Sequence, residues 1–144
     1  DSVETLRILD GIIDIYMPDM KYSDNANAER YSNAKGYWEF NKAAILEMHR
    51  QVGELKMDEN GVAIRGLLIR HLVLPHGVAG SEEVLKFISE RVSRKTFVSL
   101  MSQYFPANRA YEYEELKHPL KRAEYSEAVR LLHSFGLSEG YIQG

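Results

Sequence analysis

Apolar positions along this chain keep two rhythms, and the switches between them mark out its elements. Val3, Leu6 and Leu9 stand at helical spacing ahead of Gly11, which predicts a helix at the start of the sequence. The run from Ile12 to Met17 is nearly all apolar, too short for a helix and stopped by Pro18, so it reads as a strand. After a polar stretch, Ser23 to Gly36, the period lengthens. Tyr37, Phe40, Ala44, Ile45, Met48 and Val52 predict an amphipathic helix that ends at Gly53. Leu55 to Ile64 alternates around Asn60-Gly61, a strong hairpin signal, and reads as an insertion before the next core strand. That strand, Leu67 to Leu74, is almost continuously apolar, as a parallel strand covered on both faces should be, and Pro75 ends it.

Downstream the pattern repeats. Ser81 is expected to cap a helix that carries Glu82 and Glu83 in its first turn and runs through Val84, Leu85, Phe87 and Ile88 to about Val92. Thr96 to Met101 predicts a strand, and a tyrosine-rich loop from Tyr104 to Pro119 follows. A helix from about Lys121 to Phe135, with Gly136 at its end, leads to a last short strand at Gly140 to Gln143. Strands that alternate with helices imply an α/β fold with a parallel sheet and right-handed crossovers. A doubly wound sheet or part of a (β/α) barrel would fit. No Gly-x-Gly-x-x-Gly or Gly-x-x-x-x-Gly-Lys-Ser/Thr motif follows any of these strands, which turns the reading toward the barrel.

The 144 residues suffice for one core, so residues 1–144 are read as a single domain. The sequence opens without Met and inside an element, which suggests a piece of a longer polypeptide. The strand from Ile12 to Met17 would then present an unpaired edge through which the piece self-associates. Lys and Arg total 18 against 21 Asp and Glu, a net charge of −3, so no nucleic-acid partner is expected. No apolar run approaches the roughly 20 residues of a membrane span, and the expectation is a soluble, cytoplasmic protein. The chain contains no cysteine, which excludes disulfides, thiolate nucleophiles and cysteine-ligated clusters within it.

Chemistry gathers at the strand ends. If the extended conformation continues past Pro18, Asp19 and Lys21 share a face with Ile13, Ile15 and Met17. Leu68, Arg70, Leu72 and Leu74 share one face of the second strand, and Phe97, Ser99, Met101 and Gln103 one face of the third. Carboxyl ends are where α/β sheets place their ligands. Arg70 could close on Asp19 as a structural ion pair, or hold a ligand's carboxylate beside Lys21. His49, His71, His76, His118 and His133 show no metal-ligand spacing, and the tyrosine runs lack interleaved bases, so packing is their expected role.

In this order and separated by helices, Asp14-Ile-Tyr-Met-Pro-Asp19-Met-Lys21-Tyr, Ile69-Arg70-His-Leu-Val-Leu-Pro75 and Ser99-Leu-Met-Ser-Gln103-Tyr resemble the second half of a radical S-adenosylmethionine enzyme. The likeness is to the pyruvate formate-lyase activating enzyme-like branch, and the ending Gly-Leu-Ser-Glu-Gly-Tyr-Ile-Gln143 fits it too. It covers nearly the whole chain and implies the C-terminal half of a partial TIM-like (β/α)6 barrel with a β-hairpin insertion. It also implies a [4Fe-4S] cluster held by a Cys-x3-Cys-x2-Cys loop, S-adenosylmethionine on its open iron, and a 5′-deoxyadenosyl radical. In activases that radical takes hydrogen from a glycine of a partner glycyl-radical enzyme. Asp19 and Lys21 match the family's Asp-x-Lys, whose Lys faces the methionyl carboxylate, and Arg70 matches an Arg near the same ligand. Gln103 stands near where activases often carry a ligand-side His, a departure from the activase pattern. With no cysteine here, the cluster ligands would lie outside this chain, which alone would be inactive.

Two other readings stay open. One is a small barrel lyase or isomerase with Lys21 as amine nucleophile, opposed by the neighbouring Asp19, since a carboxylate stabilises the ammonium. The other is a non-catalytic α/β interaction domain.

Overall fold

The structure, a computed structural model, describes residues 2–104, 106 and 108–143. Helix α1 (Val3–Ile8) leads to β1 (Ile15–Tyr16), α2 (Asn25–Ser32) and α3 (Tyr37–Val52). Strands β2 (Lys56–Met57) and β3 (Ala63–Leu72) form the hairpin, and α4 (Ser81–Phe87) continues into a π-helical turn, Ile88–Val92. Strand β4 (Phe97–Met101), α5 (Arg122–Ser134) and β5 (Gly140–Gln143) follow.

The sheet runs β1-β3-β4-β5, all parallel, with β2 antiparallel to the start of β3. Strand order follows chain order and never reverses, as a doubly wound sheet would require. With right-handed crossovers, such an order puts the helices on one face. There Leu67, Ile69, Val73, Val98 and Leu100 pack in one core with Ile45, Met48, Val84, Leu85, Ile88 and Leu132. Leu67 and Ile69 are fully buried, each contributing about 1.5–3 kcal/mol. The alternate residues of β3, Leu68, Arg70 and Leu72, are only half-buried, as are Phe97 and Met101 of β4. The expectation of cover on both faces is therefore corrected: α1, α3, α4 and α5 share one core on one side, α2 packs in a separate cluster with Tyr22, Val78 and Leu116, and the apolar run of β3 serves a second, partly open face.

Element boundaries shifted for local reasons. Strand β1 is shorter than the run Ile12 to Met17, because Ile12 and Met17 are exposed and Pro18 has no N–H to donate. Pairing resumes past it: Arg70 N–H donates to the Pro18 carbonyl and Met20 N–H to that of Arg70, both at 2.9 Å. Strand β3 starts at Ala63, so the hairpin's second arm is the beginning of the core strand and not an insertion before it. Gly66 allows this: its φ is +119° and a Cβ would stand 2.4 Å from the Glu54 carbonyl oxygen. Helix α2 lies in the stretch read as polar; Asp24 caps it, accepting from the N–H groups of Ala26 and Asn27. Gly80, in the left-handed region, is the N-cap of α4 in place of Ser81.

Candidate functional site

In-register pairing aligns Asp19, Arg70, Ser99 and Tyr141 in one row across the sheet. Arg70 closes on Asp19 with both prongs of its fork, Nε to Oδ1 at 2.7 Å and Nη2 to Oδ2 at 3.2 Å. The carboxylate raises the guanidinium's pKa above its ordinary value through the hydrogen bonds and the charge. The side chains are 43% and 37% exposed, so the pair stands partly open to solvent. Lys21 is exposed at the same strand end.

A recess of about 310 Å³ opens there. Asp19, Lys21 and Arg70 give it charge, Leu72, Leu74 and Met101 an apolar wall, and Tyr22 and Tyr104 an aromatic one. A second recess of about 350 Å³, lined by Pro18, Tyr37, Phe40, Asn41 and Met48, also includes Asp19 and Lys21. Gln103 is exposed beyond the end of β4 and does not line the first recess.

His71 was not legible as part of this site. It is fully buried, with Nδ1 2.6 Å from the Met20 carbonyl oxygen and Nε2 2.8 Å from the Ser81 hydroxyl. A carbonyl only accepts, so Nδ1 carries the proton and the neutral ring's Nε2 accepts from Ser81. Burial lowers its pKa from 6.5, against the raising effect of the Met20 carbonyl. The available signal was alternation: odd residues of β3 face the helices, and a core histidine must find partners. From α3, Tyr37 accepts the Lys21 N–H at 2.8 Å and Asn41 Nδ2 donates to the Asp19 carbonyl at 3.2 Å.

The tyrosines buttress the neighbouring loop. Tyr31 donates to Glu115, which also pairs with Arg30 at 2.9 Å, and the Tyr31 and Tyr113 rings meet edge to face at 4.8 Å. Burial first, then Glu115, pushes the Tyr31 hydroxyl up to about 12. Tyr104 and Tyr113 donate to the carbonyls of Leu116 and Arg30. Among the described residues no group of three or more His, Asp or Glu is placed to hold a metal ion, and no helix is long and apolar enough to cross a membrane.

No family model and no solved structure matches this chain. An uncharacterized protein of Methanocaldococcus jannaschii is 31% identical over 137 residues, covering 94% of this chain and 36% of that protein. The chain thus spans about a third of the length of that curated relative.

Proposed function

We propose that this chain is part of the partial barrel of a radical S-adenosylmethionine enzyme, activating-enzyme-like, and that Asp19, Lys21 and Arg70 receive the methionyl end of S-adenosylmethionine. One observation carries the reading: three charged groups from two paired strands converge beside a recess on the uncovered face of a singly wound sheet. Lys21 offers a point charge and Arg70 its Nη1, outside the Asp19 fork, to a carboxylate. Asp19 offers acceptor oxygens to an ammonium, and the leucines, Met101 and the two tyrosines suit the less polar remainder. Gln103 lies outside this contact set.

The donor set does not fit an iron–sulfur cluster, since the chain has no cysteine; its ligands would come from elsewhere in the polypeptide. Length favours that arrangement, because the relative extends well beyond the shared stretch. The reduced cofactor would supply a 5′-deoxyadenosyl radical, with a glycyl-radical enzyme as the partner that the resemblance implies. What this chain contributes is binding and orientation.

The test uses the protein at its full natural length, loaded with iron and sulfide without oxygen, then reduced by dithionite with S-adenosylmethionine. Release of 5′-deoxyadenosine is expected, falling about tenfold or more in Lys21→Ala and Arg70→Ala, as loss of a charge-assisted contact implies. A loaded cluster that releases none, or a reading frame without Cys-x3-Cys-x2-Cys, overturns the proposal. The bidentate Asp19–Arg70 closure would then favour the second reading, an α/β interaction domain in which the pair only ties β1 to β3.

A further inference from the structure

Three consecutive residues of the candidate site are tied by side chains more than by the sheet. The Asp19 carbonyl accepts from Asn41 Nδ2, the Met20 carbonyl from His71 Nδ1, and the Lys21 N–H donates to the Tyr37 hydroxyl. The neighbouring strand contributes one bond to this stretch, from Met20 N–H to the Arg70 carbonyl. Strand β1 lies at the edge of the sheet, where an extended segment with so few ladder bonds frays.

We infer that Tyr37, Asn41 and His71 are positioning residues, which fix the Asp19–Lys21 backbone so that both side chains keep one placement beside Arg70. Tyr37 and Asn41 stand four residues apart on α3 and so present to one side of the segment. His71 acts from β3 and, through Ser81, joins the segment to the start of α4. Asn41 supplies the most telling detail. Its Oδ1 is buried without a partner while its Nδ2 serves Asp19. A buried acceptor left unmet costs stability, yet the opposite amide orientation would set oxygen against oxygen. The arrangement keeps the tie to Asp19 and leaves one acceptor unmet.

The purpose assigned to these ties rests on the proposed cofactor site; the ties themselves do not. Both are tested in the full-length protein by amide hydrogen exchange and by titration calorimetry with S-adenosylmethionine. Tyr37→Phe and Asn41→Leu should speed exchange at residues 19–22 about fivefold, the effect of one lost hydrogen bond, and weaken binding by a similar factor. Melting temperature should fall by about 3 °C at most in Tyr37→Phe, as one lost hydrogen bond implies, and Asn41→Leu should leave it unchanged or raise it by removing the unmet acceptor. His71→Asn, whose amide nitrogen overlays Nδ1, should retain most of the protection that His71→Leu loses. If the wild type binds no S-adenosylmethionine but shows this local exchange pattern, the cofactor reading falls and the positioning stands. Exchange that is unchanged at residues 19–22 in both α3 variants, or raised evenly along the chain, overturns the inference.

Discussion

At the scale of single residues, the site combines a partly exposed ion pair with a buried histidine, whose face alternation could give but whose partners it could not. Asp19 and Arg70 project from adjacent strand ends, which the period of two in a strand makes readable. Their closure is bidentate but more than a third exposed, so solvent screens it. A double-mutant cycle with Asp19→Asn and Arg70→Met, followed by chemical denaturation, should give a coupling of about 1 kcal/mol or less. His71 behaves differently. Its pKa is depressed by burial, so its contribution is complete above the unfolded value of 6.5 and declines as pH falls from there toward the folded value. Thermal melts across that window should show the wild type losing stability on acidification more steeply than His71→Asn. Parallel curves would remove the histidine from the account.

Secondary elements were legible where one signal dominated. The apolar period and the glycine at position 53 fixed α3 at Tyr37–Val52, as expected. Helix α2 escaped because its stability comes from the Asp24 cap, the left-handed Asn33 at its end and the burial of Ala28, not from a long apolar stripe. A buried polar network fastens α1 and α3 to β1. Glu47 accepts from Arg50 and Gln51, Gln51 donates also to the Leu6 carbonyl, and the Tyr16 hydroxyl donates to Gln51 Oε1. Arg50, then Gln51, holds the Glu47 carboxyl down at about 2. Its contribution is therefore present above the unfolded value of 4.5 and lost as pH falls toward 2. Glu47→Gln should flatten that part of an acid-unfolding curve, as circular dichroism would show. At Gly66, where β3 passes from hairpin arm to core strand, alanine meets both a positive φ and the Glu54 carbonyl. Gly66→Ala should cost about 2–4 kcal/mol in denaturant titration; a neutral result would mean that the two arms separate easily.

At the scale of the whole molecule, the open sheet face and the free edge of β1 decide how this chain behaves alone. Ile12, Met17 and Phe40 are 67%, 57% and 71% exposed, beside a strand that among the described residues has no outer neighbour. Such an edge invites pairing with a second copy unless charge or cover blunts it. Light scattering should therefore find reversible, concentration-dependent association of the 144-residue chain, reduced by Met17→Lys. A monomer throughout a wide concentration range would show that the edge is already protected.

By itself the sequence determined the alternation of strands and helices apart from α2, the parallel pairing of the core strands and the faces on which Asp19, Lys21 and Arg70 stand, because periodicity and turn chemistry act over a few residues. Tertiary structure decided the rest. Whether Arg70 met Asp19 or stayed free depended on two strand ends brought together across 51 positions of chain. The one-sided packing of the sheet depended on strand order, which no local period encodes. The burial of His71 against Met20 and Ser81 required three separate elements to converge, and only the folded core sets the desolvation that keeps its ring neutral.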